Sequence, residues 1–107
     1  KLLGLDKKIS THRDLESIKS INFDSIVCLD VLEHLPDPSA QLDVFHKLMN
    51  TDSIALFNWY FYKGENGEYP FHFDDRSLIE NFFFYLQNNF IEVFHPFLIT
   101  TRAYKKV

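Results

Sequence analysis

Glycine and cysteine are scarce in this chain. Only 3 of its 107 residues are glycine, at positions 4, 64 and 67. No two have the spacing of a loop that cradles a phosphate or a nucleotide, so the chain has no G-x-G turn. Cys28 is the only cysteine, which excludes an intrachain disulfide and a cysteine-cluster zinc site. No apolar run approaches the roughly 20 residues of a membrane-spanning helix, and the first residues do not read as a signal peptide. Cations are outnumbered too: 11 Lys and Arg against 15 Asp and Glu give a net charge of -4. Nucleic-acid binding draws much of its affinity from cationic contacts to phosphate, so neither nucleic acid nor a membrane is an expected partner. The five histidines show no H-E-x-x-H or comparable spacing, and the sequence predicts no metal site.

Large flat side chains are abundant. The chain has 12 phenylalanines, and aromatic residues make up 17% of it, which predicts a core or pocket filled with rings. With 46% hydrophobic and 24% charged residues, the composition is that of one globular domain over residues 1–107. Cys28, within a run of Ile, Val and Leu, reads as a small buried hydrophobe. A cytoplasmic location is the expectation.

Along the chain, residues 1–6 read as the end of a helix and residues 7–12 as a short strand. Residues 14–22 read as a loop or a single helical turn. Phe23 to Leu29 becomes a continuous aliphatic run, the signature of a strand buried on both faces and usually parallel. Asp37 is an N-cap signal and Pro38 suits the first helical position. Leu42, Phe45, Leu48 and Met49 recur at helical spacing, so a helix is predicted from Pro38 to Asn50. Asp52 and Ser53 turn the chain into a second strand, Ile54 to Tyr60. Lys63 to Pro70 reads as a flexible loop. Asp74 and Asp75 precede a helix face of Leu78, Ile79, Phe82, Phe83 and Leu86, which Asn88 and Asn89 stop. Phe90 to Phe94 and Leu98 to Lys105 read as two strands joined by three residues, which demands an antiparallel pair. The predicted fold class is α/β, a mostly parallel sheet with flanking helices and a C-terminal antiparallel hairpin.

Ligands of open α/β sheets bind beyond the carboxyl ends of the strands. Leu29-Asp30 and the stretch from Asn58 lie at such ends, and Asp14 follows the weak first strand. A carboxylate there accepts from an amine or hydroxyl, or it caps the next turn. Glu33 and His34 resemble an acid–base couple, although neighbours on a helical turn point in different directions. His34 and His72 are the catalytic candidates, His34 as a general base and His72 at a lid or acceptor site; solvent-facing or structural roles are the alternative for each. His72 lies between two phenylalanines beside the flexible loop, and in extended chain it points away from both rings. His46 and His95 read as surface residues. The Phe82–Tyr85 run reads as core with an exposed remainder, and Trp59 and Tyr60 as core or as a platform for a ligand ring.

FDSIVCLDVLEHLPDP, from Phe23 to Pro38, resembles the fourth-strand motif of class I S-adenosylmethionine-dependent methyltransferases, in particular the small-molecule group that includes ubiquinone-type O-methyltransferases. The resemblance extends more loosely from about Leu3 to the C-terminus. By that resemblance Asp14 and Leu15, in THRDLESI, would meet the adenine of S-adenosylmethionine. Cys28, Leu29 and Asp30 would line its methionine side, and the Leu32–Leu35 turn would face the substrate mouth. The stretch YPFHFDDRSLIENFF is similar to the segment that closes over a small-molecule acceptor, which brings in His72. The family's glycine-rich loop and the acidic residue after its second strand have no counterpart in these 107 residues. The resemblance therefore implies the C-terminal portion of a partial Rossmann-like methyltransferase fold lacking its first two strands. Its sheet edge at Ile26–Leu29 would be open to a partner chain or to a second copy. The parent domain would move a methyl group to a small acceptor; the alternative is a catalytically inactive module for protein interaction or oligomerisation.

Overall fold

The computed structural model describes residues 12–13 and 23–107. The readings of residues 1–11 and 14–22, with Asp14 and Leu15, lie outside the described residues. In chain order the elements are β1 (Phe23–Cys28), a 3-10 turn (Leu32–His34), α1 (Pro38–Leu48), β2 (Met49–Phe57), α2 (Arg76–Asn89), β3 (Phe90–Val93) and β4 (Arg102–Lys106). They form one four-stranded sheet in the order β1-β2-β4-β3.

The helices start and stop for local reasons. The Asp37 side chain accepts the Ala40 N–H at 3.2 Å and the Ser39 hydroxyl at 2.7 Å, and Pro38 occupies the first turn, where its missing N–H costs nothing. At the end of α2 the Asn88 and Asn89 side chains donate to the carbonyls of Phe84 and Tyr85, one turn back. Asp75 is the N-cap of α2, but its side chain makes no capping bond.

The predicted mostly parallel sheet is corrected. Only β1 and β2 pair in parallel; β2–β4 and β3–β4 are antiparallel, so most pairings are antiparallel. A single reversed strand is the reason: β4 inserts between β2 and β3, while β1, β2 and β3 share one direction. The β2 strand starts earlier than Ile54 and stops before Asn58. Its register against β1 jumps from Phe23↔Met49 to Ser25↔Ile54. Between them the Asn50 side chain accepts the Asp52 N–H, and the Ser53 hydroxyl bridges the Asn50 N–H and the Phe23 carbonyl. The turn expected at Asp52-Ser53 is thus a bulge inside the strand. The connection between β3 and β4 is longer than predicted, because Leu98 donates to the His95 carbonyl in a turn and pairing resumes only at Arg102.

Both helices cover the same face of the sheet. Phe57, fully buried at the centre, stacks on Phe45 of α1 at 5.6 Å and on Tyr104 of β4 at 5.8 Å, and meets Phe90 edge-on at 5.9 Å. Leu42, Phe82 and Leu86 complete this core, with Cys28 at its margin. Burying a ring of this size is worth about 2–3 kcal/mol. The opposite face carries Ser25, Val27, Ile54, Leu56, Ile91 and Val93, by their pairing and the alternation of strand side chains. There Val27 is 61% exposed and Ile91 60%. The reading of β1 as buried on both faces is therefore corrected: among the described residues β1 is an edge strand with one face covered.

Candidate functional site

Because β1 and β2 run parallel, their carboxyl ends lie side by side. Asp30 and Asn58 clasp there. The Asp30 N–H donates to Asn58 Oδ1 at 2.6 Å, Asn58 Nδ2 donates to Asp30 Oδ1 at 3.1 Å, and the Asn58 N–H reaches the Cys28 carbonyl at 3.4 Å. Asp30 has φ +58, the left-handed region that Asp visits more readily than most residues. That conformation costs about 1–2 kcal/mol. Two hydrogen bonds at about 0.5–1.5 kcal/mol each are of the size needed to offset it. The turn lifts the chain off the sheet and into the 3-10 turn.

Leu32, fully buried, anchors that turn in the core. With 3.0 residues per turn, Glu33 and His34 emerge about 120° apart. Glu33 is only 2% exposed, and a buried carboxylate is tolerable only when hydrogen-bonded. One of its oxygens accepts the Tyr60 N–H at 3.0 Å, and its other oxygen lies 3.6 Å from His34 Nε2. Its carbonyl accepts the Phe73 N–H at 2.8 Å. Glu33 thus joins three segments: the β1–α1 connection, the exit of β2 and the approach to α2. Glu33 and His34 thus leave the turn in different directions, as neighbours are expected to, yet the tips of their side chains come within 3.6 Å of one another.

His72 is not in extended chain. Its N–H donates to the Tyr69 carbonyl at 3.1 Å, closing a turn that stacks its ring on Tyr69 at 5.0 Å and sets it edge-on to His34 at 4.6 Å. His34 Nδ1 lies 3.2 Å from the Phe71 carbonyl, and His72 Nδ1 lies 3.1 Å from the Tyr62 carbonyl. The loop that carries His72 turns at Gly64, φ +89, where a Cβ would stand 2.9 Å from the Glu68 backbone nitrogen. Glycine is required there on both counts. Beside the histidines a cleft of about 280 Å³ is lined by Tyr60, Tyr62, Gly64, Glu65, Glu68 and Tyr69.

His34, His72, Leu29 and Asp30 share the rim at the ends of β1 and β2; Leu29 and Asp30 are exposed there. Cys28 instead belongs to the core, and burial, with the Glu33 charge second, pushes its thiol up to about 11. Trp59 packs on Phe82 at 5.2 Å and Phe83 at 5.5 Å, under the Arg102 guanidinium. His46 is half-buried, with Nε2 3.3 Å from the Val107 carbonyl, and His95 is exposed. The sequence reading missed the Tyr60, Tyr62 and Tyr69 cluster, whose only linear signal is the two-residue alternation of Tyr60 and Tyr62. It also missed the meeting of Glu33 and His34 with His72, which no linear motif encodes. No family model, curated protein or solved structure matches the chain.

Proposed function

We propose that the chain supplies part of the cofactor and acceptor rim of an S-adenosylmethionine-dependent methyltransferase acting on a small molecule. The observation that carries this reading is the Asp30–Asn58 clasp at the joined ends of two parallel strands, directly before the turn that bears Glu33 and His34. The FDSIVCLDVLEHLPDP resemblance supports it, as does the reversed last strand, since the family's sheet ends in an antiparallel hairpin. In this reading Leu29 and Asp30 face the cofactor, and His34 and His72 stand on the acceptor side. The transfer is an in-line displacement from a sulfonium, in which the protein chiefly positions the two partners.

The residues fit the cofactor only in part. Leu29 and Asp30 are exposed at the rim, whereas Cys28 is buried and the Asp30 carboxylate is already held by Asn58. The 107 residues also offer no glycine-rich turn whose N–H groups would meet the ligand closely. Weak binding by this chain follows. Calorimetric titration with S-adenosylmethionine is expected to give no micromolar constant. Backbone NMR shifts at millimolar cofactor are expected at Leu29, Asp30 and Asn58. Shifts confined to other surfaces, or none at that concentration, would remove the methyltransferase reading.

Among the described residues the edge of β1 is open and one sheet face is uncovered, which favours the second reading, an inactive module that docks through its sheet.

A further inference from the structure

We propose that Glu33, His34 and His72 form a binding site for a zinc-like divalent cation, which staples the turn after β1 to the segment before α2. One ligand atom from each of the three residues lies within 4.8 Å of the other two. The hydrogen bonds around them select the ligand atoms. A carbonyl oxygen can only accept, so the Phe71 and Tyr62 carbonyls fix the proton of each neutral imidazole on Nδ1. Each Nε2 is left with its lone pair. This is the arrangement in which a backbone carbonyl sets the tautomer of a metal-binding histidine. Glu33 is set up in the same way. Its Oε1 is held by the Tyr60 N–H, and its Oε2 is on the His34 side.

The three groups make a set of two imidazoles and one carboxylate, which suits zinc and its first-row neighbours. It does not suit magnesium or calcium, which take oxygen ligands. Ligands about 2.1 Å from a tetrahedral ion stand about 3.4 Å from one another. The His34–Glu33 separation of 3.6 Å is already close to that value. The ligand atoms of all three residues lie within 4.8 Å of one another, so drawing the half-buried His72 ring to the same separation completes the set. His34 is exposed, so water reaches the fourth position. The charges also favour a cation, since the buried Glu33 carboxylate faces two rings that are neutral when they act as ligands. With the ion bound, neither ring is free to serve as a base.

The test uses neither cofactor nor acceptor, so it is independent of the methyltransferase reading. The chain, stripped with chelator, is titrated with Zn2+ by calorimetry and with Co2+ by visible absorption, and its melting is followed with and without Zn2+. One ion per chain is expected, with a rise in melting temperature that chelator reverses. His34→Ala and His72→Ala should each weaken Zn2+ binding at least tenfold. Glu33→Gln, whose amide oxygen still accepts the Tyr60 N–H, should do the same in a chain with unchanged circular dichroism. His46→Ala and His95→Ala should leave binding unchanged. Failure to bind Zn2+, equal competition by Mg2+, or binding that survives both His72→Ala and Glu33→Gln would overturn the site.

Discussion

Glu33 shows how one residue ties a site together. Its carboxylate takes the Tyr60 N–H and its carbonyl takes the Phe73 N–H. Glu33→Ala leaves the Tyr60 N–H without its acceptor, at a cost of about 1–3 kcal/mol. Glu33→Gln keeps that hydrogen bond. Urea unfolding of the two variants is expected to place Glu33→Gln clearly above Glu33→Ala; equal losses would mean that the carboxylate charge, not the hydrogen bond, holds the three segments. Cys28 is the other buried titratable group of this region. Burial raises its thiol from 9.0 to about 11, with the Glu33 charge adding to the rise. The folded state therefore favours the neutral thiol. The stability this contributes is whole below the ordinary thiol value, where both states are protonated, and is lost as pH rises through about 11. A thiol raised this far carries about 100-fold less thiolate at about pH 8 than the same thiol in water. Iodoacetamide should accordingly modify the folded chain at least that much more slowly than the urea-unfolded chain, and equal rates would place the thiol at the surface.

Elements were legible where a local rule decides them. The Asp37-Pro38 start, the Leu42–Phe45 stripe of α1 and the Asn88-Asn89 stop of α2 each rest on short-range chemistry, and each is present. Asp37→Ala removes the cap and is expected to cost about 1 kcal/mol in a denaturant melt. Phe57→Ala, at the centre of the ring stack, is expected to cost about 3–5 kcal/mol; if the smaller loss fell at Phe57, the core would lie elsewhere. What eluded the sequence depends on tertiary partners. A Val or Ile in a strand reads alike at an edge and at a centre, so the exposure of β1 had no signal. Strand direction has little local signal either: the short link predicted between the last two strands gave their antiparallel pairing, but the insertion of β4 beside β2 is a choice of neighbour. The candidate site was half legible. Asp30, Glu33 and His34 sit in one run of sequence, whereas Asn58 and Tyr60 reach them through the parallel register of β1 and β2, and His72 through the turn it closes with Tyr69.

For the whole molecule the imbalance between the two sheet faces dominates. One face buries Phe57, Ala55, Tyr104 and Phe90 beneath two helices, while the other leaves Val27 and Ile91 more than half exposed among the described residues. Among the described residues, an open edge at β1 adjoins that second face. Unpaired strand edges recruit other strands, and apolar patches of this kind mark interfaces or aggregation surfaces. In a solution of this chain alone, the only surface on offer is that of another copy. Light scattering behind size exclusion is therefore expected to show mass rising with concentration. Val27→Lys with Ile91→Lys places charge on the face without touching the helix-side core, and should shift the chain toward monomer while its circular dichroism stays unchanged. A wild-type chain that stays monomeric at every concentration would show that residues beyond the described ones already cover the face, and would remove the docking reading of the sheet.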